Sequence, residues 1–172
     1  MLDKDTVIKV TNFSRSTVSY VIPEMNISRF FTKNETKEVT MAELRALSYQ
    51  AGGKGLMKDY LRVDSEDVLA EFNISVEPEY FWTEEDVKDL LLNGSLERLQ
   101  DCLDYAPQGI IDLVKDTAIK LELNDMSKRE AISKATHFNI TKAIEINKLD
   151  REGQEEQVEA DKPKRRVPIN KD

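Results

Sequence analysis

Glu77–Gly109 reads EPEYFWTEEDVKDLLLNGSLERLQDCLDYAPQG, and the chain changes character across it. Pro78 blocks a helix at its own position and pushes Glu77 towards an extended conformation. Thr83 then reads as an N-cap, with Glu84, Glu85 and Asp86 in a first turn where carboxylates complement the helix dipole. Val87, Leu90 and Leu91 fall on one helical stripe, and Asn93-Gly94 ends it. Ser95 opens a second helix through Leu96, Leu99 and Leu103, with Cys102 beside them. Ala106-Pro107 starts a third, since proline is pre-set for a first helical position. Tyr80, Phe81 and Trp82 precede all this as three consecutive aromatics, which no single helix or strand face can bury together. Core burial accounts for the stretch as a whole. The sharper reading leaves one of Tyr80, Phe81 or Trp82 outside as a binding anchor, since Trp and Tyr dominate interface hot spots.

Upstream the periodicity is that of strands. Val7–Val10 alternates apolar with polar and is rich in β-branched residues, and Thr17–Ile22 repeats the pattern before Pro23. With Asn12–Ser16 as a turn between them, the two read as a hairpin. Ile27, Phe30 and Phe31 follow, then a turn at Lys33-Asn34-Glu35 and a third strand over Lys37–Val39. Thr40 and Glu43 have the spacing of a capping box, in which each side chain satisfies the other's backbone N–H. The helix they open carries Leu44 and Leu47 and stops near Gly52-Gly53. Leu56–Val63 begins as helix and finishes as a short strand; Ser65–Phe72 is a small helix and Ile74–Val76 another short strand. Residues 1–77 thus read as a small α+β unit, a curled antiparallel sheet covered by one or two helices.

Downstream, residues 78–150 read as a helical unit of four or five short helices. Pro107–Leu121 is the clearest, with Ile110, Ile111, Leu113, Val114, Ala118 and Leu121 at helical spacing. Ser127–Glu130 resembles a second capping box, and Asn139 caps a last helix through Ala143, Ile144 and Leu149. Residues 151–172 are a charged tail. Arg151–Asp161 carries five acids against one base, and Lys162–Asp172 five bases against one acid. With two prolines and few apolar residues it has little to bury, so disorder is the expectation; Lys164, Arg165 and Arg166 are its docking candidates. The fold class is α+β: an antiparallel β-rich N-terminal unit, a bundle of short helices, and a disordered tail.

Composition narrows the function. A chain of 172 residues with 40% hydrophobic and 34% charged content can bury a core. Its net charge of −8 argues against general nucleic-acid binding, whose footprint is a basic patch. No apolar run is long enough to cross a bilayer. No leader is read at the N-terminus, so the Asn-x-Ser/Thr triplets are not expected to carry glycans. The single cysteine builds no disulfide framework and suits a reducing compartment. Chemistry is equally sparse. The single His137 has no cysteine or second histidine at metal-ligand spacing. Cys102 sits on an apolar helix face that makes a thiol inert. Gly52-Gly53-Lys54-Gly55 lacks phosphate-loop spacing and has Leu56 where a Ser or Thr belongs. No catalytic residue, cofactor or metal ligand is assigned, and the chain is read as non-enzymatic. A helix-turn-helix over 127–148 would read bases with Asn139, Thr141, Lys142 and Asn147 and touch phosphates with Lys128, Arg129 and Lys134. Its turn has no glycine, and 81–150 holds fourteen acids against nine bases, so plain helical packing is preferred.

Four phrases together, TVSYVIP, RFFTKNETKEVTMAELRALSYQAGG, VEPEYFWTEEDVKDLLLNGSLERLQDCLDYAPQGIIDLVK and KREAISKATHFNITKAIEIN, resemble a family of small uncharacterised proteins of tailed bacteriophages and prophages of gut Firmicutes. The resemblance covers about residues 6–147 and transfers no functional residues. It implies a phage-encoded protein in the host bacterial cytoplasm or the virion. The leading expectation is a virion structural or assembly component acting by protein–protein contact with phage structural proteins. The alternative is an anti-CRISPR-like inhibitor of a host nucleic-acid-binding enzyme. It would fill a basic groove with an acidic surface of Asp86, Asp89, Asp101, Asp104, Asp112 and Asp116. A small helix-turn-helix regulator is the third.

Overall fold

In β1 (Val7–Asn12) Ile8, Val10 and Asn12 point inward while Val7 and Lys9 stay in solvent, the period of a half-buried strand. The computed structural model describes residues 2–75 and 80–160. β1 is the middle of a three-stranded antiparallel sheet, between β4 (Thr36–Thr40) and β5 (Leu61–Val63). β2 (Val18–Ile22) and β3 (Ile27–Phe31) form a separate antiparallel pair across the 3-10 turn Pro23–Met25. The hairpin read from the sequence is therefore corrected: β2 pairs with β3, not β1.

Asn12 supplies the physical reason. It is fully buried at the end of β1. Its amide nitrogen faces the carbonyls of Ser16, Phe31 and Thr32 at 2.8, 3.0 and 3.1 Å. Its oxygen accepts from the Ser14 N–H and hydroxyl at 2.9 and 2.7 Å. One side chain thus turns the chain out of the first sheet and ties both ends of the β2–β3 pair to it, where a hairpin turn would have kept the strands together.

Three helices cover this half: α1 (Met41–Tyr49), α2 (Gly53–Asp59) and α3 (Glu66–Glu71). Thr40 caps α1, its hydroxyl accepting from the Glu43 N–H at 3.3 Å, but the capping box is only half made. The Glu43 side chain is 1% exposed and turned into the core. It accepts from the Tyr20 hydroxyl at 2.7 Å and from Arg29 at 2.6 and 2.8 Å. A forked guanidinium and a buried phenol together outcompete a single backbone N–H for this carboxylate. Burial, reinforced by the carboxylate, pushes the Tyr20 phenol well above its ordinary value. Around this centre pack Val10, Ile22, Phe31, Leu44, Met57 and Val68. Ile74 and Ser75 follow α3 without strand pairing; Val76, the rest of that expected strand, lies outside the described residues, as does Pro78.

The second half is helical: α4 (Glu84–Asn93), α5 (Leu96–Tyr105), α6 (Gln108–Lys120), α7 (Met126–Thr136) and α8 (Ile140–Ala160). The chain is thus α+β, antiparallel strands first and helices after. Thr83 and Asp86 make a full capping box on α4, Ser95 caps α5, and Asn139 accepts from the Lys142 N–H at the start of α8. For α7 the cap is Asp125, not the Ser127 read from the sequence. Starting the helix there turns Lys128 inward, 5% exposed, where its ammonium donates to the Leu91 carbonyl at 2.8 Å. The α4 carbonyls left open at its C-terminus thereby gain a cationic donor. The second core gathers Val87, Leu90, Leu99, Ile110, Val114 and Ile132. α8 continues well past Leu149, so Arg151 to Ala160 are helical where a tail was expected. Leu149, read as part of its apolar stripe, is 67% exposed. Residues 161–172, with Lys164, Arg165 and Arg166, lie outside the described residues.

The halves meet along a short junction. Phe13 packs edge-on to Phe81 at 5.6 Å, and the Arg62 guanidinium lies 4.9 Å over the same Phe81 ring. Arg15 pairs with Asp116 and Lys33 with Glu84. Gly109 sits where a Cβ would stand 2.8 Å from the Asp59 carbonyl oxygen, so only glycine lets α6 approach that close.

Candidate functional site

The three aromatics that precede α4 separate in space. Tyr80 goes in: it is 4% exposed, and its hydroxyl donates to Asp101 on α5 at 2.8 Å. Phe81 turns to the junction with Phe13 and Arg62, beside an open cavity of about 820 Å³ that Asp64, Ser65, Glu66 and Leu69 also line. Trp82 is half-buried on the α5 side. Its ring lies 5.7 Å from that of Tyr80, tilted by 60°, and the exposed Arg98 guanidinium covers it at 5.7 Å. A cation that close to an indole face is attracted by the ring quadrupole.

Two carboxylates are tied to the groups that hold this indole: Asp101 to Tyr80, and Asp86 to the Arg98 charge. The Thr83 hydroxyl and N–H hold the Asp86 carboxyl below its ordinary value, and the Arg98 charge adds to the effect. Asp89 accepts from the Asn93 amide at 2.7 Å; Asp101 is fixed by Tyr80; Asp104 is exposed. The exposed Glu84, Glu85 and Glu97 extend the same helices' solvent side, against Lys88 and Arg98 as their basic residues. The six aspartates read from the sequence do not share one face. Asp112 lies 3.3 Å from Lys115, and Asp116 is taken by Arg15 of the strand-rich half. The charge of Asp112 also helps to raise the Tyr60 phenol, after burial. Asp86, Asp89 and Asp101 therefore remain on α4 and the adjoining side of α5, Asp104 borders a groove with Lys134 of α7, and Asp112 and Asp116 belong to the junction.

Arg98 is the residue that sequence reasoning missed. No local pattern links it to Trp82, sixteen positions earlier; only the packing of α5 beneath the aromatics brings them together. Cys102 lies under the same patch, fully buried, its thiol pushed up to about 12 by burial and by the Asp101 charge. It is an inert core group. His137 ends α7 in a left-handed conformation, φ 52°, the role of a helix C-cap. Of the basic side chains weighed for a helix-turn-helix, Lys128 is buried on α4 and Arg129 donates to the Leu123 carbonyl. Two of the three phosphate contacts such a reader would use are thus occupied inside the protein.

Among the described residues no group of three or more His, Cys, Asp or Glu is placed to hold a metal, and no helix is long and apolar enough to cross a membrane. Neither a family model, nor a curated protein, nor a solved structure matches the chain.

Proposed function

We propose that the chain is a non-enzymatic, phage-encoded protein that works by protein–protein contact, as a virion structural or assembly component. The observation that supports this reading is Trp82. A large indole packed on Tyr80, covered by Arg98 and half in solvent is amphipathic and held on both sides, the properties of a hot-spot anchor. The test is quantitative mass spectrometry of purified particles made with wild-type or Trp82→Ala protein. Stoichiometric wild-type protein and at least about a tenfold loss of the variant are expected, with the fold unchanged by circular dichroism. Absence of the wild-type chain from particles, or equal incorporation of the variant, would sink the reading.

A second reading has its own observation. The exposed acids of α4 and α5, with Asp86, Asp89, Asp101 and Asp104 among them, suit an inhibitor that occupies the basic nucleic-acid groove of a host enzyme. Here the expected effect of Asp89→Lys with Asp104→Lys is a slower association and a weaker dependence on salt. Trp82→Ala would separate the two readings, since steering by charge does not need the indole.

A further inference from the structure

Asn93 is the only asparagine in the chain that a glycine follows. Asparagine is thermolabile, and its side-chain amide is lost fastest ahead of glycine, where no Cβ shields the next backbone nitrogen. The fold requires this dipeptide where it stands. α4 ends at Asn93, and a Cβ at position 94 would lie 2.6 Å from the Leu90 carbonyl oxygen. Only glycine lets the chain turn that tightly from α4 into α5.

The same turn holds the reaction off. The Gly94 N–H donates to the carbonyls of Leu90 and Asp89 at 3.0 and 3.2 Å. The exposed Asn93 amide donates to the Asp89 carboxylate at 2.7 Å. Helical backbone at Asn93 also keeps the Gly94 nitrogen out of line with the side-chain carbonyl carbon. These restraints all belong to the last turn of α4, and a buried group secures that turn. It is the Lys128 ammonium, 2.8 Å from the Leu91 carbonyl and 3.4 Å from that of Leu90. Helix ends open locally far more often than a domain unfolds.

We infer that Asn93-Gly94 is a site of spontaneous deamidation, gated by opening of the last turn of α4. When the turn opens, the Gly94 nitrogen gives up its proton and bonds to the Asn93 side-chain carbonyl carbon. The bond from that carbon to the amide nitrogen breaks, and the nitrogen leaves with a proton as ammonia. The cyclic succinimide then adds water and opens at either carbonyl, giving aspartate or isoaspartate at position 93 with no change of oxidation state. Either product puts a carboxylate where the amide now donates to Asp89, at a helix C-terminus that disfavours anions. Isoaspartate also lengthens the backbone between α4 and α5. The site does not involve Trp82, so it stands or falls apart from the function proposed above.

The test is to incubate the full chain at neutral pH and physiological temperature. Peptide mass spectrometry follows each asparagine, and chromatography separates isoaspartate. Conversion is expected at Asn93 ahead of every other asparagine, and at least about tenfold slower than in urea, where the turn is open. Lys128→Met should speed it several-fold while circular dichroism still reports folded protein. Glu43→Ala, which weakens the strand-rich core instead, should leave the folded rate unchanged. Conversion at another asparagine first, or a folded rate equal to that in urea, would overturn the inference. So would an Asn93 that stays intact in folded Lys128→Met protein. Equal acceleration by Lys128→Met and Glu43→Ala would overturn it too, since unfolding of the whole chain would then be the gate.

Discussion

In the strand-rich half, buried polar side chains join segments far apart in sequence. Asn12 reaches Phe31 across 19 residues, and Glu43 reaches Tyr20 across 23. In the helical half the caps are local, each of Thr83, Ser95, Asp125 and Asn139 closing on a backbone N–H three residues later. Its core is correspondingly apolar, with Lys128 as a charged exception. A short antiparallel strand can pair with several others at similar energy, so a buried, fully bonded polar group that fits only one arrangement discriminates between them. A helix makes its backbone bonds within itself and needs only an apolar stripe and punctuation. The two halves therefore use buried polarity for different ends: to choose a topology in one, to finish helix ends in the other.

The largest test of that contrast is Glu43→Ala. It removes the acceptor from a buried phenol and from a guanidinium that is a third exposed. Breaking such a pair is expected to cost about 3 kcal/mol, at the low end of buried ion pairs because water can still reach Arg29. Urea denaturation measures it as a fall in midpoint at unchanged slope. A loss below about 1 kcal/mol, the level of a surface pair, would mean that Glu43 is not a specifying contact.

The same contrast explains what the sequence disclosed. The helical spacing of Val87, Leu90 and Leu91, the cap at Thr83 and the proline before α6 are local signals, and these helices lie where those signals put them. The pairing of β1 with β4 and β5 is not a local signal. Asn12 reads as a turn residue in one dimension, and only in the fold does its amide face three carbonyls. Glu43 has capping-box spacing, yet a distant Arg29 claims its carboxylate. The site was legible to the same degree: the aromatic run announced itself, whereas which ring goes inward depends on Asp101 and Arg98, both on a helix packed against it later. Periodicity likewise could not separate Asp112 and Asp116 from the other aspartates, since Arg15 lies a hundred residues upstream of its partner.

Lys128→Met is the intermediate test, aimed at the charged exception. Methionine keeps the apolar stem and drops the ammonium, leaving the Leu91 carbonyl at the end of α4 without that donor. The expected cost is about 1–2 kcal/mol, smaller than for Glu43 because a carbonyl, not a charge, loses its partner. A larger loss than for Glu43→Ala in parallel urea titrations would reverse the comparison and make Lys128 the more specifying group.

The smallest effect belongs to the junction, where both modes meet. Lys33 and Glu84 join the halves with side chains 36% and 50% exposed, so the pair should contribute well under about 1 kcal/mol. Its signature is pH dependence more than size. Hydrogen bonding to Lys33 holds the Glu84 carboxyl below its ordinary 4.5, with burial opposing and the Lys33 and Lys120 charges assisting. A carboxylate whose folded pKa is depressed binds protons more weakly folded than unfolded. Its contribution is therefore complete above the unfolded value and disappears as pH falls through the folded one. Lys33→Met should accordingly lower the urea midpoint slightly near neutrality, and the gap to wild type should close on acidification below the ordinary carboxylate range. A gap that stays constant would assign the lost stability to the lysine stem instead of the charge pair. The Phe13–Phe81 contact and the close approach at Gly109 would then hold the halves together without help from electrostatics.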